Sequence, residues 1–270
     1  PKRETGVLEF LEEHPKYDGR DVVIAVFDTG VDPAAVGLQT TSTGERKIVD
    51  IIDASGSGDV DTSTVVERSK DGTLEGLSGR TLTLPKNIKN PSGKFHIGIK
   101  RGTDLFHRDV LARIKRLRAE AWTRKQNTIL AERLRDQSAA ADAGERKAFE
   151  KAADDRDLKE QDQVAREELL QSLEKSWKAD DQGPVYDCVL WANGKHFHVI
   201  VDTDEDGDLA DEKILRPFGV DGEFASFGEE EASHFSVQVY EQGQLLSIVT
   251  VSGSHGSHVA AIAAAHFPEQ

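Results

Sequence analysis

The fold is decided by two short stretches of sequence, and the first is VVIAVFDTGVD at residues 22–32. It opens with a run of apolar residues rich in β-branched side chains, which is typical of a strand buried on both faces of a parallel sheet. Asp28 follows this run directly. In open parallel sheets, functional side chains cluster just past the carboxyl ends of the strands. The stretch therefore predicts a central strand with Asp28 at its functional end.

A carboxylate at such a position has several chemical interpretations. It can orient the histidine of a Ser-His-Asp triad, act as the catalytic aspartate of an aspartic peptidase, whose signature is Asp-Thr-Gly, or accept a phosphoryl group. It can also be structural, because aspartate side chains often hydrogen-bond their own backbone in turns. Residues 28–30 alone leave these interpretations open.

The second stretch is SGSHGSHVAAIAAA at residues 252–265, a Gly/Ser loop that leads into an alanine-rich helix. We expect the helix to begin near His255, which places this imidazole at the mouth of a cleft. His255 and His258 also form a His-x-x-His pair, with His266 farther on, so a zinc site is an alternative. No acidic or cysteine third ligand follows at a suitable spacing, and we therefore expect no metal here.

The two stretches together are far more specific than either one. An apolar strand that ends in Asp-Thr-Gly-Val-Asp, followed later by Ser-His-Gly-Ser-His-Val-Ala-Ala, resembles the subtilisin-like serine peptidases. The resemblance implies that Asp28 and His255 are two members of a Ser-His-Asp triad and that no cofactor is needed. Asp28 would hold the imidazole tautomer, and His255 would be the general base and acid. It also implies that His258 is a buried, structural residue.

A long insertion separates Asp28 from His255, whereas common subtilisins have only a short one. Segments of this insertion, such as KIVDIID at 47–53 and GPVYDC at 183–188, are similar to the tripeptidyl-peptidase II branch of the family. That branch consists of large, oligomeric, mostly cytosolic peptidases. The resemblance thus implies a cytoplasmic homo-oligomer whose partners are the remainder of its own chain and peptides with a free N-terminus, from which it releases tripeptides. A pyrolysin-type endopeptidase, which also has a long insertion, and a non-catalytic assembly domain are the alternatives.

The nucleophile of the family is not found in this sequence. In the family it lies in Gly-Thr-Ser followed by a hydrophobic residue and Ala, and the 270 residues contain no such segment. Ser78 and Ser92 lack the helix of small residues that follows the nucleophile. We therefore interpret the sequence as an N-terminal piece of a serine peptidase, and we expect it to be inactive alone.

The predicted fold class is α/β: a partial subtilisin-like parallel-sheet core, interrupted by a long insertion with β-hairpins and a helical hairpin. We expect a helix over residues 5–14 with Thr5 as its N-cap, and hairpins over 185–201 and 235–251. The predicted domain order is the first part of the core at 1–60, a β-rich insertion at 61–102, a charged helical hairpin at 103–182, a β-rich segment with an acidic turn at 183–245, and a return to the core at 246–270.

The predicted helical hairpin is highly charged, with nearly equal numbers of acidic and basic residues. Apolar residues recur at helical spacing on both sides of a predicted turn at residues 141–144. Because each helix offers one apolar stripe, we expect the two stripes to pack against each other, independently of the core.

The acidic turn has the pattern of the first half of an EF-hand loop. Acidic residues occupy positions 1, 3, 5 and 7, and Gly207 occupies position 6; the acids are Asp202, Asp204, Asp206 and Asp208. Position 12 is Lys213 instead of the usual glutamate. A calcium site and a solvated acidic turn both remain open.

Composition excludes several functional classes. The net charge of −15 argues against nucleic acid or an anionic membrane as the main partner. No apolar run approaches the roughly 20 residues that a membrane-spanning helix needs. Cys188 is the single cysteine, which excludes an intramolecular disulfide and a cysteine-based zinc site.

Overall fold

The computed structural model describes residues 3–17, 19–140, 181–228 and 231–267, together with residues 171, 172, 174, 175 and 177. The helices are α1 (Val7–Glu13), α2 (Gly102–Leu105), α3 (Arg108–Ala140), α4 (Phe218–Asp221) and α5 (His255–Ala264), with a 3₁₀ turn at Glu241–Gly243. The strands are β1 (Asp59–Asp61), β2 (Thr64–Glu67), β3 (Thr73–Glu75), β4 (Thr81–Thr83), β5 (Lys94–Arg101), β6 (Val185–Ala192), β7 (Phe197–Val201), β8 (Ala225–Ser226), β9 (His234–Tyr240) and β10 (Leu245–Thr250).

The strands form two four-stranded antiparallel sheets and a separate hairpin. The sheet orders are β1-β10-β9-β8 and β2-β5-β6-β7, and β3 pairs with β4. Both predicted hairpins are confirmed, since β6 pairs with β7 and β9 pairs with β10. The opening helix is also confirmed, although Gly6 is its N-cap, so the expected cap at Thr5 is wrong.

The core lies between the two sheets and under the hairpin. One apolar cluster joins side chains of both sheets, for example Tyr186 and Cys188 of β6 with Val237 of β9 and Ile248 of β10. A second cluster packs the β3–β4 hairpin on the opposite face of β6, through Val189 and Trp191 of that strand. Because successive residues of a strand face opposite sides, β6 is buried on both faces.

The apolar run at residues 22–27 departs from the expectation. It forms no strand, and its side chains are exposed except for the half-buried Val26; Phe27 is 91% exposed and Val23 79%. A parallel strand is stabilised by its neighbours on the sheet, and no described residue pairs with this run. The prediction of a buried central strand is therefore wrong for the part of the chain that the structure describes, whose sheets are antiparallel.

The first half of the predicted helical hairpin is confirmed as α3. Its first turns do not stand apart from the core, because Ile114 is 1% exposed and belongs to the cluster between the sheets. The expectation of an independent arm is wrong at this end. Farther along, the Trp122 ring stacks on the Trp177 ring at 5.9 Å. The rest of the second half, at residues 141–170, and the predicted turn lie outside the described residues.

The division of the chain into five segments stays a prediction.

Among the helices of the described residues, none has both the length and the apolar character that a membrane span requires.

Candidate active site

Two distant segments meet at the start of α5. The first is residues 28–30, and the second is the loop that joins β10 to α5. The Ser252 N–H donates to the Thr29 carbonyl at 2.9 Å, so the loop runs alongside the Asp-Thr-Gly segment. Gly30 has φ of +96°, a backbone conformation that favours glycine, and it lies against the start of α5.

Asp28 and His255 are in direct contact at this junction. The His255 Nδ1 atom lies 2.8 Å from both carboxylate oxygens of Asp28. The carboxylate is 17% exposed, whereas the imidazole is 72% exposed. Among the described residues, no hydrogen bond involves the Nε2 atom of His255. The carboxylate can therefore fix the ring through Nδ1 while Nε2 stays available to accept a proton.

Two donors stabilise the ionised form of Asp28. The Thr29 N–H donates to Asp28 Oδ1 at 2.7 Å, and the His255 imidazole is the second partner. Both partners lower the pKa of Asp28 below its usual range. The backbone hydrogen bond is the larger cause, and the imidazole is the second. The aspartate is therefore held as an anion, which is the state that orients and stabilises an imidazolium.

The side chain of Thr29 is a positioning group that the sequence did not reveal. Its hydroxyl donates to the Gly253 carbonyl at 3.0 Å and accepts from the Gly256 N–H at 3.0 Å. Gly256 is buried in the first turn of α5, and a Cβ atom there would lie 2.3 Å from the Gly30 carbonyl oxygen. The helix therefore approaches the Asp-Thr-Gly segment as closely as glycine permits.

A second contact fixes the first turn of the same helix. The Asp32 N–H donates to the Ser257 hydroxyl at 2.8 Å. The Asp32 carboxylate accepts from the Ala34 N–H at 2.9 Å and lies 3.0 Å from His234 Nδ1. Nothing in the sequence pattern predicted a role for His234, because it is a lone histidine at the start of a strand.

The zinc interpretation finds no support in the described part of the chain. Among the described residues, the side chains whose possible ligand atoms converge are those of Asp202, Asp204 and Asp206. This group contains no histidine. His258 is exposed, so its expected burial is wrong. In the first turn of a helix at the surface, an imidazole is readily directed into solvent.

Neither candidate serine contacts His255. The Ser78 hydroxyl donates to the buried carboxylate of Asp187, and the Ser92 hydroxyl donates to Asn90 Oδ1 at 2.8 Å. Within the described residues, no serine hydroxyl is hydrogen-bonded to the His255 imidazole. The structure thus brings together two of the residues that a triad requires.

The acidic turn follows β7, and no described hydrogen bond or ion pair joins its acids to Asp28 or His255. Oxygen atoms of Asp202, Asp204 and Asp206 all lie within 4.8 Å of one another, whereas Asp208 is not part of this group. Asp202 is fully buried. Burial raises the pKa of Asp202 to about 6.

The geometry agrees with the family to which the sequence is related. Residues 19–270 match the Subtilase family of peptidases, Peptidase S8. This match spans far more than half of the chain, so the chain belongs to the subtilisin-like serine peptidase family.

Within that family the chain is similar to tripeptidyl-peptidase 2. It is 42% identical to tripeptidyl-peptidase 2 of Oryza sativa subsp. japonica over 280 aligned residues, which cover 100% of this chain and 20% of the relative. A crystal structure of tripeptidyl peptidase 2 superimposes with a TM-score of 0.66 at 28% identity, and the match covers 98% of this chain and 20% of that chain. The expected α/β fold class of subtilisin-like type is thereby confirmed.

A shorter match links the chain to pyrolysin of Pyrococcus furiosus, with 46% identity over 67 residues, 25% of this chain and 5% of pyrolysin. The chain spans about a fifth of the length of the tripeptidyl-peptidase 2 relative and of the solved structure that it matches.

Proposed function

We propose that this chain supplies the aspartate and the histidine of a serine peptidase that releases tripeptides from the free N-termini of peptides. The observation that carries the proposal is the contact of His255 Nδ1 with both oxygens of Asp28 at 2.8 Å, with the rest of the imidazole exposed. This is the arrangement in which a histidine can accept the proton of a serine hydroxyl.

The proposed reaction is acyl transfer in two stages. The serine oxygen attacks the scissile carbonyl carbon while its proton moves to His255 Nε2, and the same proton then passes to the leaving amine. Water next attacks the acyl carbon while its proton moves to His255 Nε2, and the bond to the serine oxygen then breaks as that oxygen takes the proton back, which releases the carboxylic acid product. Asp28 remains ionised and stabilises the imidazolium, a role that its lowered pKa supports.

The nucleophile is proposed to lie in residues of the full-length peptidase that this chain does not contain. Neither Ser78 nor Ser92 contacts His255, and both hydroxyls have other partners. We expect the purified 270-residue chain to show no peptide hydrolysis above background. Turnover that survives serine-directed inhibitors would contradict the proposal and favour the aspartic or metal alternatives.

The cleavage mode is tested by the substrate N-terminus. An exopeptidase must pair the substrate ammonium with carboxylates, because an unpaired desolvated charge costs several kcal/mol. The full-length peptidase should therefore cleave a peptide with a free N-terminus at least tenfold faster, in kcat/KM, than its N-acetylated form, a difference of about 1.4 kcal/mol.

A pyrolysin-type endopeptidase is the second candidate, and the local similarity to pyrolysin favours it. An endopeptidase has no need of the N-terminal ammonium. Equal cleavage of the free and the acetylated peptide would reject tripeptide release and favour this alternative, with Asp28 and His255 in the same roles.

A further inference from the structure

The acidic turn is independent of the proposed peptidase site and has features of an ion-binding loop. Oxygen atoms of Asp202, Asp204 and Asp206 converge within 4.8 Å. Asp204 and Asp206 are exposed, whereas Asp202 is 0% exposed. A cluster of exposed acids has no need of a ligand, so the environment of the buried carboxylate decides the question.

The buried carboxylate of Asp202 is poorly satisfied within the described part of the chain. Its Oδ1 atom accepts a long hydrogen bond of 3.4 Å from the Gly207 N–H, and its Oδ2 atom has no hydrogen-bond partner. Arg80 Nη1 lies 3.8 Å from Oδ2. An ionised oxygen that is buried without a hydrogen bond is costly, which indicates that a ligand belongs beside it.

Arg80 does not supply the missing hydrogen bond. A guanidinium Nη1 atom carries two protons. In Arg80 one is donated to the Val185 carbonyl at 2.7 Å and the other to Asp187 Oδ2 at 3.1 Å. Both protons are therefore engaged, and Asp202 receives only the longer-range attraction of the charge.

Among the described residues, the ion pairs around the turn leave a negative excess. Two guanidinium groups, those of Arg80 and Arg118, are paired with the neighbouring carboxylates. These carboxylates are Asp181, Asp187, Asp202 and Glu205. Four carboxylates thus share two guanidinium groups even before Asp204 and Asp206 are included. A divalent cation at the turn would reduce this excess.

The loop is held in place by the β3–β4 hairpin. The Thr83 N–H donates to the Gly207 carbonyl at 2.8 Å, and the Leu209 N–H donates to the Thr83 carbonyl at 2.9 Å. Gly207 has φ of +82°, and a Cβ atom there would lie 2.6 Å from the Thr81 carbonyl oxygen. The end of the turn that follows the three acids is therefore held by contacts with the hairpin.

We propose that Asp202, Asp204 and Asp206 bind a calcium ion. Calcium takes six to eight oxygen ligands in a flexible arrangement, which suits converging carboxylates supplemented by backbone carbonyls and water, whereas magnesium demands a stricter octahedron. Lys213 donates to the Phe224 carbonyl at 2.7 Å and supplies no bidentate carboxylate. With three acids and no such ligand, we expect a dissociation constant of about 10⁻⁴–10⁻³ M.

The test is calorimetric titration of chelator-treated protein with calcium chloride, together with thermal melting. The parent should bind one calcium ion and melt at a higher temperature in calcium. The double variant Asp204→Asn/Asp206→Asn should bind at least tenfold more weakly. It should still fold, because the amide oxygens can accept the hydrogen bonds that Asp204 and Asp206 now accept from the N–H groups of Asp206 and Asp208.

The matched control is Asp208→Asn/Asp211→Asn, which removes two exposed charges from the same segment but none from the converging group. It should bind calcium within about twofold of the parent. An equal loss in both double variants, an equal response to magnesium chloride, or no calcium binding by the folded parent would each overturn the proposal.

Discussion

Thr29 and Gly256 are joined by a hydrogen bond of 3.0 Å from the Gly256 N–H to the Thr29 hydroxyl, although they lie 227 positions apart in the chain. Asp28 immediately precedes the first of these residues and His255 immediately precedes the second. The contact therefore places the carboxylate and the imidazole side by side, and it couples their geometry to the start of α5.

We expect Gly256→Ala to separate the two segments. The new Cβ would lie 2.3 Å from the Gly30 carbonyl oxygen, which is backbone and has little room to move. Although alanine is the better helix former, this overlap should lower the free energy of unfolding by about 1–3 kcal/mol, as measured by urea denaturation.

The control for this substitution is Gly253→Ala. A Cβ at Gly253 would lie 3.7 Å from the nearest atom, an ordinary contact with Thr29. It should change the free energy of unfolding by less than about 1 kcal/mol. Equal effects of the two alanines would show that close approach of the helix is not what requires glycine at 256.

The contribution of His255 to the state of Asp28 is measurable in this chain. The Thr29 N–H and then the imidazole lower the pKa of Asp28. Such a carboxylate stabilises the fold above its ordinary pKa of about 3.9, and the contribution is lost as the pH falls through the lowered value. His255→Ala removes the second cause, so the pKa should rise but remain below the ordinary value because the backbone donor is retained.

This change can be followed by NMR titration of the aspartate carboxyl carbons between about pH 2 and pH 6. His258→Ala serves as the control, because His258 is exposed and has no contact with Asp28 among the described hydrogen bonds. An Asp28 pKa that is the same in the parent and in His255→Ala would contradict the hydrogen bond as a stabilising contact.

The sequence correctly predicted that Asp28 and His255 lie together, but it wrongly predicted a strand immediately before Asp28. The two motifs require a Gly/Ser loop and a helix start, and these form from local residues. The run at 22–27 carries a strand pattern, but ladder pairing depends on neighbours elsewhere in the chain. The roles of Thr29 and His234 stayed hidden, because each depends on a contact with a distant segment that leaves no periodic signal.

In the full-length peptidase, Asp28→Asn should lower kcat by about 10⁴-fold with little change in KM. The asparagine retains the shape of the side chain, but its amide stabilises the wrong imidazole tautomer and provides no charge for the imidazolium. The measurement is steady-state kinetics with a peptide substrate from which a tripeptide is released. Asp61→Asn, which alters a carboxylate that accepts from the Ser63 N–H at 2.9 Å, should retain normal kcat. Near-normal kcat in Asp28→Asn would return Asp28 to a turn-capping role.

The predicted helical hairpin at residues 103–182 has a part that the core requires and a part that the core does not require. Leu105, Phe106 and Ile114 belong to the cluster between the sheets, and the Phe106 ring lies 5.1 Å from that of Phe227. Loss of a buried Phe or Ile typically costs 2–5 kcal/mol, against a total stability of about 5–15 kcal/mol. Replacing residues 105–180 with a Gly/Ser linker should therefore unfold the chain.

Replacing only residues 127–170 should leave it folded. This shorter deletion retains Ile114 and the stack of Trp122 on Trp177, and it removes a segment beyond the contacts described for the core. Circular dichroism and thermal melting should show a cooperative transition for the shorter deletion and none for the longer one. A cooperative transition at the parent temperature in the longer deletion would mean that the sheets pack without α2 and α3. Loss of the transition in the shorter one would mean that the distal arm stabilises the core.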